Sequence, residues 1–174
     1  MLLTWLPSYF HLSLGLNLDN SSFLSVVPWL AMFVCANVGG VIADTLLRKG
    51  MPVTIVRKTM QTIGFLGPAV FLAMVARTSN PADAVLYMTV ALGLGSFSQS
   101  GVYANHQDIG PDYAGVLLGI SNAAASIPGI IGVALTGFIL DTTDSWDPVF
   151  GIAIGFYLLG TVIFNLFATG ERVF

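Results

Sequence analysis

An all-α membrane fold of six transmembrane helices, the first of them truncated, is what this sequence predicts. Three observations carry that reading. Of 174 residues, 55% are hydrophobic and only 9% are charged, whereas a soluble domain carries about a quarter charged residues. Mean hydropathy is +0.83, and ionisable residues are absent from several long runs. Five of the six Lys and Arg side chains fall in segments that alternating spans would place on one side of a bilayer. The same composition excludes intrinsic disorder, which needs low hydrophobicity and high net charge. A net charge of −3 argues against a nucleic-acid face. Cys35, the single cysteine, cannot form an internal disulfide or a metal cluster.

The elements follow in order. Residues 1–15 are apolar and aromatic, but at a rise of about 1.5 Å per residue they reach only about 22 Å, short of a hydrocarbon core of about 30 Å. They lack the basic start and small-residue cleavage site of a signal peptide, and read as the second half of a helix. Residues 22–43 form a charge-free second span. Residues 59–76 form a shorter third, with Gln61 its one strongly polar member. Residues 84–105, 113–140 and 149–169 complete the six. Pro68 and Pro128 inside these runs are tolerated in membrane helices more than in soluble ones. Arg48, Lys49, Arg57 and Lys58 lie between spans two and three, and Arg172 follows span six. Asp19, Asp83, Asp141, Asp144 and Asp147 occupy the opposite side, with Arg77 the one cation there. The basic side therefore faces the cytosol or its topological equivalent.

Polar residues within spans mark the places to look for function. No Lys or Arg lies at the middle of a span, so the main counter-charge for an anion is not in this chain. Ser96, Gln99, Tyr103, His106 and Gln107 recur at three- or four-residue spacing and so share one helical face. Such a stripe lines a path or hydrogen-bonds to other helices, and His106 is either proton-sensitive near neutral pH or a cap of the helix end. Span five is rich in small residues. Gly115 and Gly119 permit close helix approach, Pro128 frees the Ala124 carbonyl, and Ser121 and Asn122 need a partner or a cavity. In span one, Trp5, Pro7, Ser8, Tyr9 and His11 form another aromatic-polar group, and an interfacial belt would explain Trp5 and Tyr9 equally well. After span two, Asp44 sits at a helix C-terminus, where the macrodipole disfavours an anion, and Arg48 four residues on can offset it. That placement suggests a latch formed in one conformation. Nothing pairs a nucleophile with a base or builds a metal site, so an enzyme is disfavoured.

Gly40-x-x-Ala43-Asp44-x-x-x-Arg48-Lys49-Gly50 resembles the loop motif of the major facilitator superfamily, in its second-half copy. The stretch Asn105-His106-Gln107-Asp108-Ile109-Gly110-Pro111, followed by Tyr113-Ala114-Gly115-Val116-Leu117-Leu118-Gly119-Ile120-Ser121-Asn122, is similar to the anion:cation symporter family. That family includes sialin, the vesicular glutamate transporters and plant plastid phosphate transporters. The ending Leu166-Phe167-Ala168-Thr169-Gly170-Glu171-Arg172-Val173-Phe174 looks most like the plastid branch. Gly110 stands where the family more often has alanine.

The resemblance implies that residues 1–174 are one domain, the C-terminal half (helices seven to twelve) of a twelve-helix secondary transporter. Its expected partners are the lipid bilayer, an N-terminal six-helix half, a small anion and a coupling Na⁺ or H⁺. No cofactor, metal or nucleic acid is expected. The implied activity is transport of inorganic phosphate across a plastid membrane, thylakoid or inner envelope, by alternating access. An organic anion such as ascorbate or glutamate is the rival substrate, and a non-transporting membrane fragment is the rival class. Tyr9, Gln99, Tyr103 and Asn122 are the path candidates. Gly40, Asp44, Arg48 and Lys49 form the gating loop, and Asn105, His106 and Asp108 organise the turn between helices ten and eleven.

Overall fold

The structure, a computed structural model, describes residues 2–12, 15, 24–78 and 80–173. Asp19 and the first two residues of the 22–43 run lie outside the described residues. Helix α1 covers Leu2–Leu12, α2 Val26–Arg48, α3 Val53–Val75 and α4 Pro81–Gly95. A 3-10 turn at Ser96–Gln99 leads to α5, Val102–Ile109. A second, Pro111–Tyr113, leads to α6, Ala114–Thr143, and α7 is Asp147–Phe167. No strand occurs among the described residues. Helices α2, α3, α6 and α7 are each long and apolar enough to cross a membrane.

Local chemistry explains most boundaries. Gly50, at φ +84°, turns the chain after α2, and the Gly50 and Met51 amides donate back to the Leu47 and Leu46 carbonyls. That left-handed residue satisfies the last carbonyls of the helix, and Pro52 then sets up α3. Asn80 caps α4, its Oδ1 accepting from the Ala82 amide at 3.0 Å, with Pro81 at the first helical position. Asp144, at φ 50°, ends α6.

Two expectations change. Helix α3 starts at Val53, six residues before the span read from residue 59. Arg57 and Lys58 therefore belong to the helix and not to a loop. A charge-free run misses this because a helix can carry cations in its first turns where they reach the interface or a partner.

The span read as 84–105 is broken. Helix α4 stops at Gly95, and after the 3-10 turn the chain bends at Gly101, with φ −90° and ψ −98°. Ser96, Gln99, Tyr103, His106 and Gln107 therefore do not form one continuous stripe. Glycines flank a serine-rich segment of weak helical preference, and close packing on α3 fixes the bend. A Cβ on Gly64 would lie 2.8 Å from the Ser98 amide, and one on Gly101 would lie 2.9 Å from the Gln61 amide. Gln61 Oε1 accepts from the Val102 amide at 3.1 Å, capping α5 from a neighbouring helix.

The core lies where α3 and α4 pack together, with α2 against α4 and α7 against α3. Leu6 and Phe10 of α1 join Leu72, Met88, Leu92 and Phe150 in its larger cluster. Helix α6 stands apart, with Thr136 its one buried residue. Gly115 and Gly119, read as close-packing positions, have no atom within 4 Å of an added Cβ. Nothing described in this chain packs against them.

Candidate functional site

The polar residues converge on the bend between α5 and α6. Arg57 projects from the second turn of α3 into the protein and is 8% exposed. Its Nε donates to Asp108 Oδ2 at 2.6 Å and its Nη2 to Asp108 Oδ1 at 3.2 Å. Its Nη1 donates to the Ser100 carbonyl at 3.1 Å. The fork of the guanidinium matches a carboxylate bidentately, and such charge-assisted bonds are the strong ones. One side chain thus fixes both the exit from the 3-10 turn and the far end of α5. Because Asp108 neutralises it, Arg57 is not a free counter-charge for an anion. It is also the one buried Lys or Arg among the described residues.

His106, one turn before the bend, points toward α6. Its Nδ1 lies 3.2 Å from the Tyr103 carbonyl and its Nε2 2.8 Å from Ser121 Oγ. A carbonyl only accepts, so Nδ1 carries its proton, and in the neutral ring Nε2 accepts from the Ser121 hydroxyl. This bond crosses from α5 to α6. Asn105 is buried beside it in sequence, and its Oδ1 has no hydrogen-bond partner among the described residues. Gly110, at φ −154° and ψ 76°, then Pro111, separate the two helices.

The segment after α7 closes the same region. The Gly170 amide donates to Thr54 Oγ1 at 2.8 Å, and the Val173 amide to the Ile109 carbonyl at 2.8 Å. Arg172 pairs with Asp112 at 2.7 Å. Both partners of that pair are well exposed, so it is worth about 0–1 kcal/mol.

The structure groups the sequence candidates unevenly. Asn105, His106 and Asp108 do meet at the turn, each in a different role. Tyr103 is 41% exposed, and Gln99 and Asn122 are exposed. Tyr9 is buried instead in an aromatic cluster, edge-on to Trp146 at 5.2 Å and to Phe150 at 5.3 Å. It does not share open space with the other three path candidates. Gly40, Asp44, Arg48 and Lys49 are on or just beyond α2. The helix continues through Arg48, so Asp44 and Arg48 keep their four-residue spacing. No ion pair joins them within 4.0 Å, the two among the described residues being Arg57–Asp108 and Arg172–Asp112.

Sequence reasoning missed Arg57 and Gln61. Their signal was present: Arg57, Gln61, Gly64 and Pro68 recur at helical spacing and are all buried. A cavity of about 650 Å³ also opens between α6, α7 and α3, with Phe65, Pro128, Gly132 and Tyr157 in its apolar wall. No group of His, Cys, Asp and Glu able to hold a metal occurs among the described residues.

No protein-family model matches the sequence. Curated relatives are nonetheless close. The chain is 56% identical over 173 residues, 99% of its length, to "Ascorbate transporter, chloroplastic" of Arabidopsis thaliana, of which it covers 32%. It is also 56% identical over 173 residues to "Sodium-dependent phosphate transport protein 1, chloroplastic" of the same plant, covering 34%. Identity to "Probable anion transporter 4, chloroplastic" of Oryza sativa subsp. japonica is 54%, with 29% covered. The chain thus spans about a third of the length of these relatives. Four membrane-length apolar helices and the three chloroplastic relatives just named make it an integral membrane protein of the chloroplast.

Proposed function

We propose that this chain is the C-terminal six-helix half of a secondary anion transporter of the major facilitator type. The observation that carries the reading is 56% identity across 99% of the chain to two chloroplastic transporters, one named for ascorbate and one for phosphate. Both substrates are anions. The geometry supports the assignment: α6 buries little against its own chain, as a helix does when its packing surface is supplied by another bundle. The complete protein would rock two halves about a midplane site.

In this reading the Arg57–Asp108 pair and the His106–Ser121 bond hold the α5–α6 turn. Gln99, Tyr103 and Asn122 remain accessible to a path between halves, whereas Tyr9 supports the wall from behind. Asp44 and Arg48, unpaired with each other here, form a latch on the basic side when the transporter changes conformation. Inorganic phosphate coupled to Na⁺ or H⁺ is the first substrate to test. Ascorbate is the second reading, because the identity to the ascorbate transporter is equal. The test is uptake into liposomes containing the complete protein, with labelled phosphate or ascorbate under an imposed Na⁺ or pH gradient. Saturable, gradient-dependent uptake of one anion supports the reading. Absence of uptake for every anion tried, in protein that inserts and stays folded, overturns it.

A further inference from the structure

Helix α3 carries two adjacent cations that meet opposite fates. About 100° of helical rotation separates neighbours, so Arg57 turns inward to Asp108 while Lys58 turns out toward α7. Lys58 has no carboxylate within 4.0 Å among the described residues. It borders a groove of about 380 Å³ between α3 and α7, lined by Ile55, Lys58, Thr59, Thr62, Ile63 and Asn165.

The threonines of this groove differ from those well inside the other helices. Thr89, Thr136 and Thr161 each donate to the carbonyl four residues back. Thr59 and Thr62 donate to no acceptor among the described residues. Asn165 Nδ2 donates to Thr62 Oγ1 at 2.9 Å and to the Thr161 carbonyl at 2.9 Å. With its oxygen so occupied, the Thr62 hydroxyl has its proton left for an outside acceptor. One unneutralised ammonium and two undirected hydroxyls therefore border a single groove.

Its depth in the bilayer follows from the helices. Lys58 is in the second turn of α3 and Asn165 in the last turn of α7, both at the basic face of the protein. Beside these polar groups the groove wall is apolar and open, with Ile55 49% and Ile63 37% exposed. A cation and hydroxyls beside exposed isoleucines on a membrane-facing groove match a molecule with an anionic head and hydrocarbon tails. Basic pockets between membrane helices hold such headgroups.

We infer that the α3–α7 groove is a binding site for an anionic phospholipid, its phosphate held by Lys58, Thr59 and Thr62 and its acyl chains lying between the two helices. The test is native mass spectrometry of the full chain in detergent, with phosphatidylglycerol or phosphatidylcholine of identical acyl chains. Wild-type protein should retain phosphatidylglycerol in preference. Lys58→Gln should weaken that retention about fivefold, the effect of one basic residue at an anionic membrane surface. Thr62→Val should weaken it to a lesser degree, and Arg77→Gln, at the opposite end of α3, should leave it unchanged. Equal retention of the two lipids, or full retention by Lys58→Gln, would overturn the inference. Displacement of the lipid by excess inorganic phosphate would identify a site for a free anion and overturn it as well.

Discussion

Removing Asp108 tests the α5–α6 turn most directly. The Arg57 side chain is 10% exposed and that of Asp108 18%, at 2.6 Å from each other. Asp108→Leu leaves the guanidinium buried with only the Ser100 carbonyl as partner. Breaking a buried pair by deleting one member costs about 3–5 kcal/mol, and the partial exposure of Asp108 lets water reach the vacated site. A loss of about 3 kcal/mol, two powers of ten in the folding equilibrium, is therefore expected. Arg57→Met should cost a similar amount, because it strands the carboxylate. The double variant should recover much of the loss, since an apolar pair of similar volume is often close to neutral. The assay is reversible denaturation of the purified chain in mixed micelles, run as a double-mutant cycle. A coupling energy of about 2 kcal/mol or more is expected from this geometry. Strictly additive losses would refute the reasoning, by showing that the two residues stabilise the protein separately.

In the same assay Gly101→Ala should destabilise by about 1–3 kcal/mol, because its Cβ would overlap Gln61. Gly119→Ala should be neutral or stabilising by up to about 1 kcal/mol, since its surroundings are open and alanine favours helix; equal losses in the two variants would contradict both statements. In the complete transporter, Asp44→Asn should slow anion uptake while leaving expression and melting temperature nearly unchanged. Normal uptake would make the proposed latch decorative. The 174-residue chain alone should insert into membranes yet give no more gradient-driven phosphate uptake than empty vesicles. Saturable uptake by it would instead point to a homodimer in which two copies build one pathway.

Hydropathy made the bilayer and four long helices legible, because a span must be apolar along its length and little else satisfies that demand. The 113–140 and 149–169 runs lie within a few residues of α6 and α7. The search for charge-free runs was blind to the break after Gly95, since Ser96–Ser100 carries no charge and the run continues through it. The reason for the break is a neighbour: Gly64 and Gln61, more than thirty positions away, leave room for backbone and supply a cap. Asp108 was recognisable as a turn residue through its motif, but its partner was not, because charge counting assigned Arg57 to a loop. Tyr9 was visible, but its surroundings were not. An aromatic residue with a hydroxyl suits a path or an interfacial belt equally well, and its packing against Trp146 and Phe150 depends on contacts far away in sequence.

The segment following α7 also has a kinetic consequence. Its bonds join Gly170 to Thr54 across 116 positions and Arg172 to Asp112 across 60. Contacts so distant in sequence carry a loop-closure entropy that local helix formation does not, and they form slowly. During synthesis, α3, α5 and the bend beyond it leave the ribosome well before their fastener exists. Closure of the basic face is accordingly a late event of folding, after α7 has crossed the bilayer and returned the chain to that side. Until then the Thr54 hydroxyl and the Ile109 carbonyl lack the partners that the finished chain gives them.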